Sequence, residues 1–128
     1  MLAAALALLS SCAPAARVPR EPFEDVPVPA EWVPYSRDAA IVQTPQVTAA
    51  KLLYLSRQSV DASMDEARRL LLEKGWTETK SERFVNPERF PGVWTEFAKG
   101  EDVCRVTVIE GAQGTHVDYA VARRAGAR

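Results

Sequence analysis

Hydrophobic and polar positions alternate with a period of two over most of the second half of the chain. The middle of the chain holds one stretch with helical spacing. Residues Val93–Lys99, Val103–Glu110 and Thr115–Arg123 each place an apolar side chain at every second position, the signature of a strand with one buried face. Two turns fix how these three strands meet. If Gly111-Ala112-Gln113-Gly114 is a tight hairpin, Val108 faces Val117, Val106 faces Tyr119 and Cys104 faces Val121. If Lys99-Gly100-Glu101-Asp102 closes the preceding hairpin, Phe97 faces Cys104, Thr95 faces Val106 and Val93 faces Val108. Both turns give the same nearly continuous apolar face, and a slip of one residue in either would break it. The other face then carries Trp94, Glu96, Arg105, Thr107, His116, Asp118 and Ala120. Glu96 lies opposite Arg105, and Asp118 lies on the diagonal of Arg105.

The helix is predicted over Val60–Lys74. Ser59 is its N-cap, and Asp61, Asp65 and Glu66 put negative charge where the helix dipole favours it. Val60, Met64, Ala67 and Leu71, with Leu70 beside them, form one apolar stripe. Gly75 stands where a left-handed C′ residue belongs, and Trp76 can fold back on the last turn. Before the helix, Ala39–Thr44 reads as a short strand, Thr44-Pro45-Gln46 as a turn and Thr48–Arg57 as a buried strand around Leu52–Leu55. After it, Thr77–Phe84 reads as a polar strand, followed by a loop from Asn86-Pro87 to Pro91-Gly92. These elements predict an α+β domain over residues 35–128: an antiparallel sheet of about five strands with one helix packed on one face.

The first third differs in kind. Pro14, Pro19, Pro22, Pro27, Pro29 and Pro34 exclude helix and favour an extended tether over residues 12–34. Phe23, Val26 and Val28 make part of that tether apolar enough to lie in shallow grooves on the domain. Ahead of it, Ala3–Leu9 are all Ala or Leu, long enough for the apolar region of a signal peptide. A bilayer-spanning helix needs about 20 apolar residues, so this run is too short to span.

That apolar run ends in Leu9-Ser10-Ser11-Cys12, which resembles the lipobox of bacterial lipoproteins. The family prefers Leu three positions before the cysteine and small residues at the next two. The chain departs from it in having no Lys or Arg ahead of the apolar run. The resemblance implies removal of residues 1–11, a diacylglycerol thioether on Cys12 and acylation of the new amino group. Each buried CH₂ contributes about 0.8 kcal/mol, and stable anchoring takes at least two chains. Ala13 is not the Asp that retains such proteins in an inner membrane, so the resemblance implies the outer membrane, facing the periplasm. The whole chain resembles small uncharacterised envelope lipoproteins.

Composition narrows the chemistry. The 128 residues carry a formal net charge of −1, with acidic and basic positions interspersed, so no basic stripe points to nucleic acid. If Cys12 carries lipid, Cys104 has no disulfide partner and suits a buried position. Cys104 and His116 fall on opposite faces in the deduced register, which separates a thiol from its base. His116 and Asp118 share a face but lack the ligands of a zinc site, and the acidic residues at the helix start lack a calcium-loop pattern. No catalytic residue, metal or cofactor is therefore assigned.

The resulting expectation is a lipid-anchored, non-catalytic binding or scaffold module. Its partner would be another envelope protein, met through Trp94, Glu96, Arg105 and Asp118 or through a strand edge. A periplasmic carrier or sensor of a small apolar ligand held between helix and sheet is the alternative, and an envelope enzyme is the weakest reading. Labelled palmitate should enter the wild-type chain in bacterial cells and be lost in Cys12→Ala. A wild type that takes up no label would remove the lipoprotein reading.

Overall fold

The computed structural model describes residues 23–35 and 40–124. Leu9, Ser10, Ser11 and Cys12 lie outside the described residues. The chain runs β1 (Val33–Pro34), β2 (Ala40–Gln43), β3 (Val47–Ser56), α1 (Val60–Glu73), β4 (Thr77–Val85), β5 (Pro91–Lys99), β6 (Asp102–Gly111) and β7 (Gly114–Arg124). All strands join one antiparallel sheet in the order β1-β3-β7-β6-β5-β4, with β2 also pairing with β3.

This corrects the expectation of an α+β fold with about five strands. Among the described residues the sheet has seven strands, and with a single helix the fold is β-rich. One strand, β1, was not read from the sequence, and β4 was read without any sign of what holds it. β1 contains Pro34, which reads as tether; it pairs because it sits at the sheet edge, where a missing N–H is tolerated. β4 shows no buried alternation, since every residue in it but Phe84 is exposed. It is held by its ladder to β5, with a bulge between Glu78 and Lys80.

The meander has the register its turns dictate. Val108 pairs with Val117, Val106 with Tyr119 and Cys104 with Val121. Phe97 pairs with Cys104, Thr95 with Val106 and Val93 with Val108. These residues form the buried inner face, and β3 extends it by pairing Ala50 with Val121 and Leu52 with Tyr119.

The helix seats on β4–β7 through Met64, Ala67 and Leu71, with Ser63 also buried. Ser63 Oγ lies 2.8 Å from Ser56 Oγ, so two buried hydroxyls satisfy each other between helix and sheet. At the N-terminus Ser59 Oγ accepts from Ala62 N at 3.1 Å. At the C-terminus Trp76 N donates to Leu71 O and Gly75 N to Leu72 O, both at 3.1 Å, the two bonds of a Schellman motif. Gly75 takes φ +91° to make it, and Trp76 turns back into the core at 2% exposure.

The helix leaves much of the β3–β7 side of the inner face bare. Residues 23–32 cover it as a strap, burying Phe23, Val26 and Trp32 in the same core as the sheet. Trp32 leans on Tyr119 with ring centroids 6.4 Å apart. Of the apolar side chains expected in shallow grooves, Phe23 and Val26 are instead buried in the core, and Val28 packs against it only partly buried.

Two substitutions separate packing from backbone effects. Leu71→Ala should cost about 3 kcal/mol through loss of a fully buried side chain. Gly75→Ala should cost about 1 kcal/mol, because a Cβ there has room (Lys99 Cε at 3.6 Å) but the left-handed backbone opposes it. Urea unfolding of both variants checks the ranking, and an equal loss for the two would contradict this account.

Candidate functional site

The face of the sheet opposite the helix has no covering element among the described residues. Its side chains form rows across β4, β5, β6, β7 and β3, set by the ladder registers. The first row runs Phe84, Gly92, Ile109, His116, Leu55, and the last runs Thr77, Ala98, Val103, Ala122, Ala49. Both are mainly apolar or small. Between them lie Glu82, Trp94, Thr107, Asp118, Leu53 and then Lys80, Glu96, Arg105, Ala120, Lys51.

All four residues expected at a partner surface, Trp94, Glu96, Arg105 and Asp118, stand on these two middle rows. Arg105 Nη2 donates to Glu96 Oε2 at 3.1 Å, the cross-strand pair expected from register. The Arg105 guanidinium also lies 4.2 Å from the centre of the Trp94 ring, and Lys80 Nζ approaches the same ring at 5.4 Å. Trp94 is therefore clasped by two cations, each contact contributing about 0.5–1 kcal/mol at a half-exposed site. Asp118 pairs with Lys51 Nζ at 3.2 Å, not with Arg105. Its Oδ1 is buried and has no hydrogen-bond partner among the described residues.

Sequence reasoning missed Lys51 and Lys80. Lys51 reaches Asp118 only because β3 pairs with β7, a contact set by a long connection across the helix. Lys80 takes its place after the bulge in β4, which shifts the alternation by one residue. Gly92 was likewise read only as part of a loop. The Phe84 ring lies over it, and a Cβ there would meet Phe84 Cζ at 2.6 Å and Val108 O at 2.9 Å.

Cys104 and His116 are on opposite faces, as the register requires. Cys104 is fully buried, and burial pushes its thiol up to about 12, with Asp25 adding to the rise and Arg123 opposing it. A thiol so placed is not a nucleophile near neutral pH. His116 packs edge-on against Tyr35, ring centroids 5.4 Å apart. No group of three or more His, Cys, Asp or Glu among the described residues could hold a metal ion. No described helix is long and apolar enough to cross a membrane.

Two open clefts flank α1. One is lined by Arg57, Ser59, Asp61, Arg83 and Glu110, and the other lies between the helix and β4. Two ion pairs lie along them: Arg83 with Asp61 at 2.7 Å, and Arg68 with Asp65 at 2.8 Å.

A second charged cluster ties the strap to the sheet. Asp25 Oδ1 accepts from Arg123 Nη2, and Asp25 Oδ2 from Lys99 Nζ at 3.2 Å. The Asp25 carbonyl accepts from Trp76 Nε1 at 2.6 Å. Arg123 also stacks on Phe23, 5.4 Å from its centroid. Burial alone would raise the Asp25 carboxyl, but the hydrogen bonds and charges of Arg123 and Lys99 outweigh it. The net shift is below the ordinary carboxylate range.

Comparison with protein families, curated proteins and solved structures finds no match to this chain.

The Asp25 cluster has a pH signature. A carboxylate with a depressed folded pKa adds stability that is present above its unfolded pKa, about 3.9, and is lost as pH falls through the folded value. Asp25→Asn should destabilise the domain by about 2 kcal/mol at pH 7 and flatten the loss of stability below pH of about 4. Thermal melts of both forms between neutral and acid pH check this. Parallel curves would show that Asp25 does not hold the strap.

Proposed function

We propose that the protein is a lipid-anchored, non-catalytic binding module of the bacterial envelope. Acyl chains on Cys12 attach it to the outer membrane, and the domain faces the periplasm and docks a protein partner on the uncovered sheet face. The lipobox resemblance at Leu9-Ser10-Ser11-Cys12 supports the anchor. The uncovered face around Trp94, Glu96, Arg105 and Asp118 carries the binding reading.

Two features favour that face over the sheet edges. At one edge, β4 is bulged and carries Glu78, Lys80, Glu82 and Arg83, devices that oppose strand addition. At the other, β1 and β2 share the flank of β3 as two short pieces, so no long unpaired ladder is presented there. The face itself offers an aromatic and an arginine, residue types that concentrate binding energy, within a rim of paired charges. A carrier of apolar ligands would need space under the helix. Met64, Ala67, Leu71, Phe97 and Val106 fill that region, each at 2% exposure or less.

The test is crosslinking in cells. The double change Trp94→Ala and Arg105→Glu should reduce crosslinks to envelope proteins about tenfold or more, because it removes an aromatic anchor and reverses a charge. Both side chains lie outside the core, so the melting transition should remain cooperative. Crosslinks unchanged in a folded variant would exclude this face as the docking surface.

A further inference from the structure

We propose that the uncovered sheet face is the interface of a symmetric dimer of this chain. The inference rests on the docking reading above and names the partner. It comes from how charge is distributed over the two middle rows.

One middle row carries two carboxylates, Glu82 and Asp118, and no cation. The next carries three cations, Lys80, Arg105 and Lys51, against the single carboxylate Glu96. Their formal charges are therefore −2 and +2, side by side, and within one copy they already meet: Glu82 with Lys80 at 3.6 Å, Asp118 with Lys51 at 3.2 Å and Glu96 with Arg105 at 3.1 Å. A two-fold axis in the plane of the interface, crossing the strands between these rows, lays each strand over its own counterpart. It also lays the acidic row of each copy on the basic row of the other. The same rotation brings the two outer rows together, mainly apolar or small side chains on both, with Ile109 meeting Val103 of the second copy. The alternative axis, along the strands, sets every row on itself and Arg105 against Arg105. Charge therefore selects one arrangement, and a second copy is the partner certain to carry the matching pattern.

Size supports it. Five strands about 4.8 Å apart and four rows about 6.6 Å apart give a footprint of about 600 Å² per copy. Two such faces bury about 1,200 Å², the lower bound for a specific interface. Stacked sheets would then cover the apolar rows as in a sandwich, about 10 Å apart.

The experiment uses the full chain in native membranes. Thr107→Cys places a thiol beside the proposed axis, and Glu88→Cys places one on an exposed loop remote from it. Cys104 is buried and stays unreactive. With a short bismaleimide, Thr107→Cys should give a product of two copies of the chain, and Glu88→Cys and the parent chain should not. In that background, K51E/K80E makes both middle rows acidic, and E82K/D118K makes both basic. Each alone should lower the dimer product about tenfold, and co-expression of the two should restore it as a mixed dimer. Circular dichroism melts show that the variants fold.

A dimer product equal at Glu88→Cys, or no restoration on co-expression of folded variants, overturns the dimer. A Thr107→Cys product joined only to a different protein, or only to another part of the same chain, also overturns it; the first of these leaves the docking reading standing. No product of any kind at Thr107→Cys overturns both.

Discussion

One helix is too small for the sheet it covers, and the rest of the structure follows from that mismatch. A 14-residue α-helix is about 21 Å long and about 10 Å wide. The five long strands span about 19 Å across and about 30 Å along. The inner face is apolar over most of that area, so a second covering element is required. The strap of residues 23–32 supplies it, and its side chains enter the same core as those of the helix. Asp25, Lys99, Arg123 and Trp76 hold the strap at the point where it meets the end of the helix. From Phe23 onward, the segment that leads back toward Cys12 is thus part of the fold.

Among the described residues, the same economy leaves the other face of the sheet open. Sheets with a single helical layer can expose one face when it is polar enough. Here the middle rows are charged and internally paired, which keeps the face soluble, and the outer rows are apolar or small. A surface of that kind is tolerable alone and improved by a partner of matching pattern. In the proposed reading, binding resides in the arrangement of side chains on the ladder.

How much of this was legible follows from how local each determinant is. The β5–β6–β7 registers were readable because two short turns fix them and only one alignment keeps Val106, Val108, Val117 and Tyr119 on one side. The helix and its Ser59 and Gly75 ends were readable from capping chemistry within a few residues. The strap was read as a tether because its prolines exclude helix and favour an extended chain. They do not exclude coil that packs, and the burial of Trp32 depends on Tyr119, far along the chain. Lys51, Lys80 and the Asp25 cluster were out of reach for the same reason: each depends on long-range pairing or on a bulge that alternation alone does not reveal.

The central claim is that the strap completes the core. The most direct measurement compares hydrogen exchange in the chain from Phe23 onward with that in the chain from Val33 onward. Without the strap, amides of β3 and β7 facing Trp32 and Phe23 should lose protection by about a hundredfold or more, with the melting transition lowered and broadened. Equal protection and an equal melting temperature in the two chains would contradict the account.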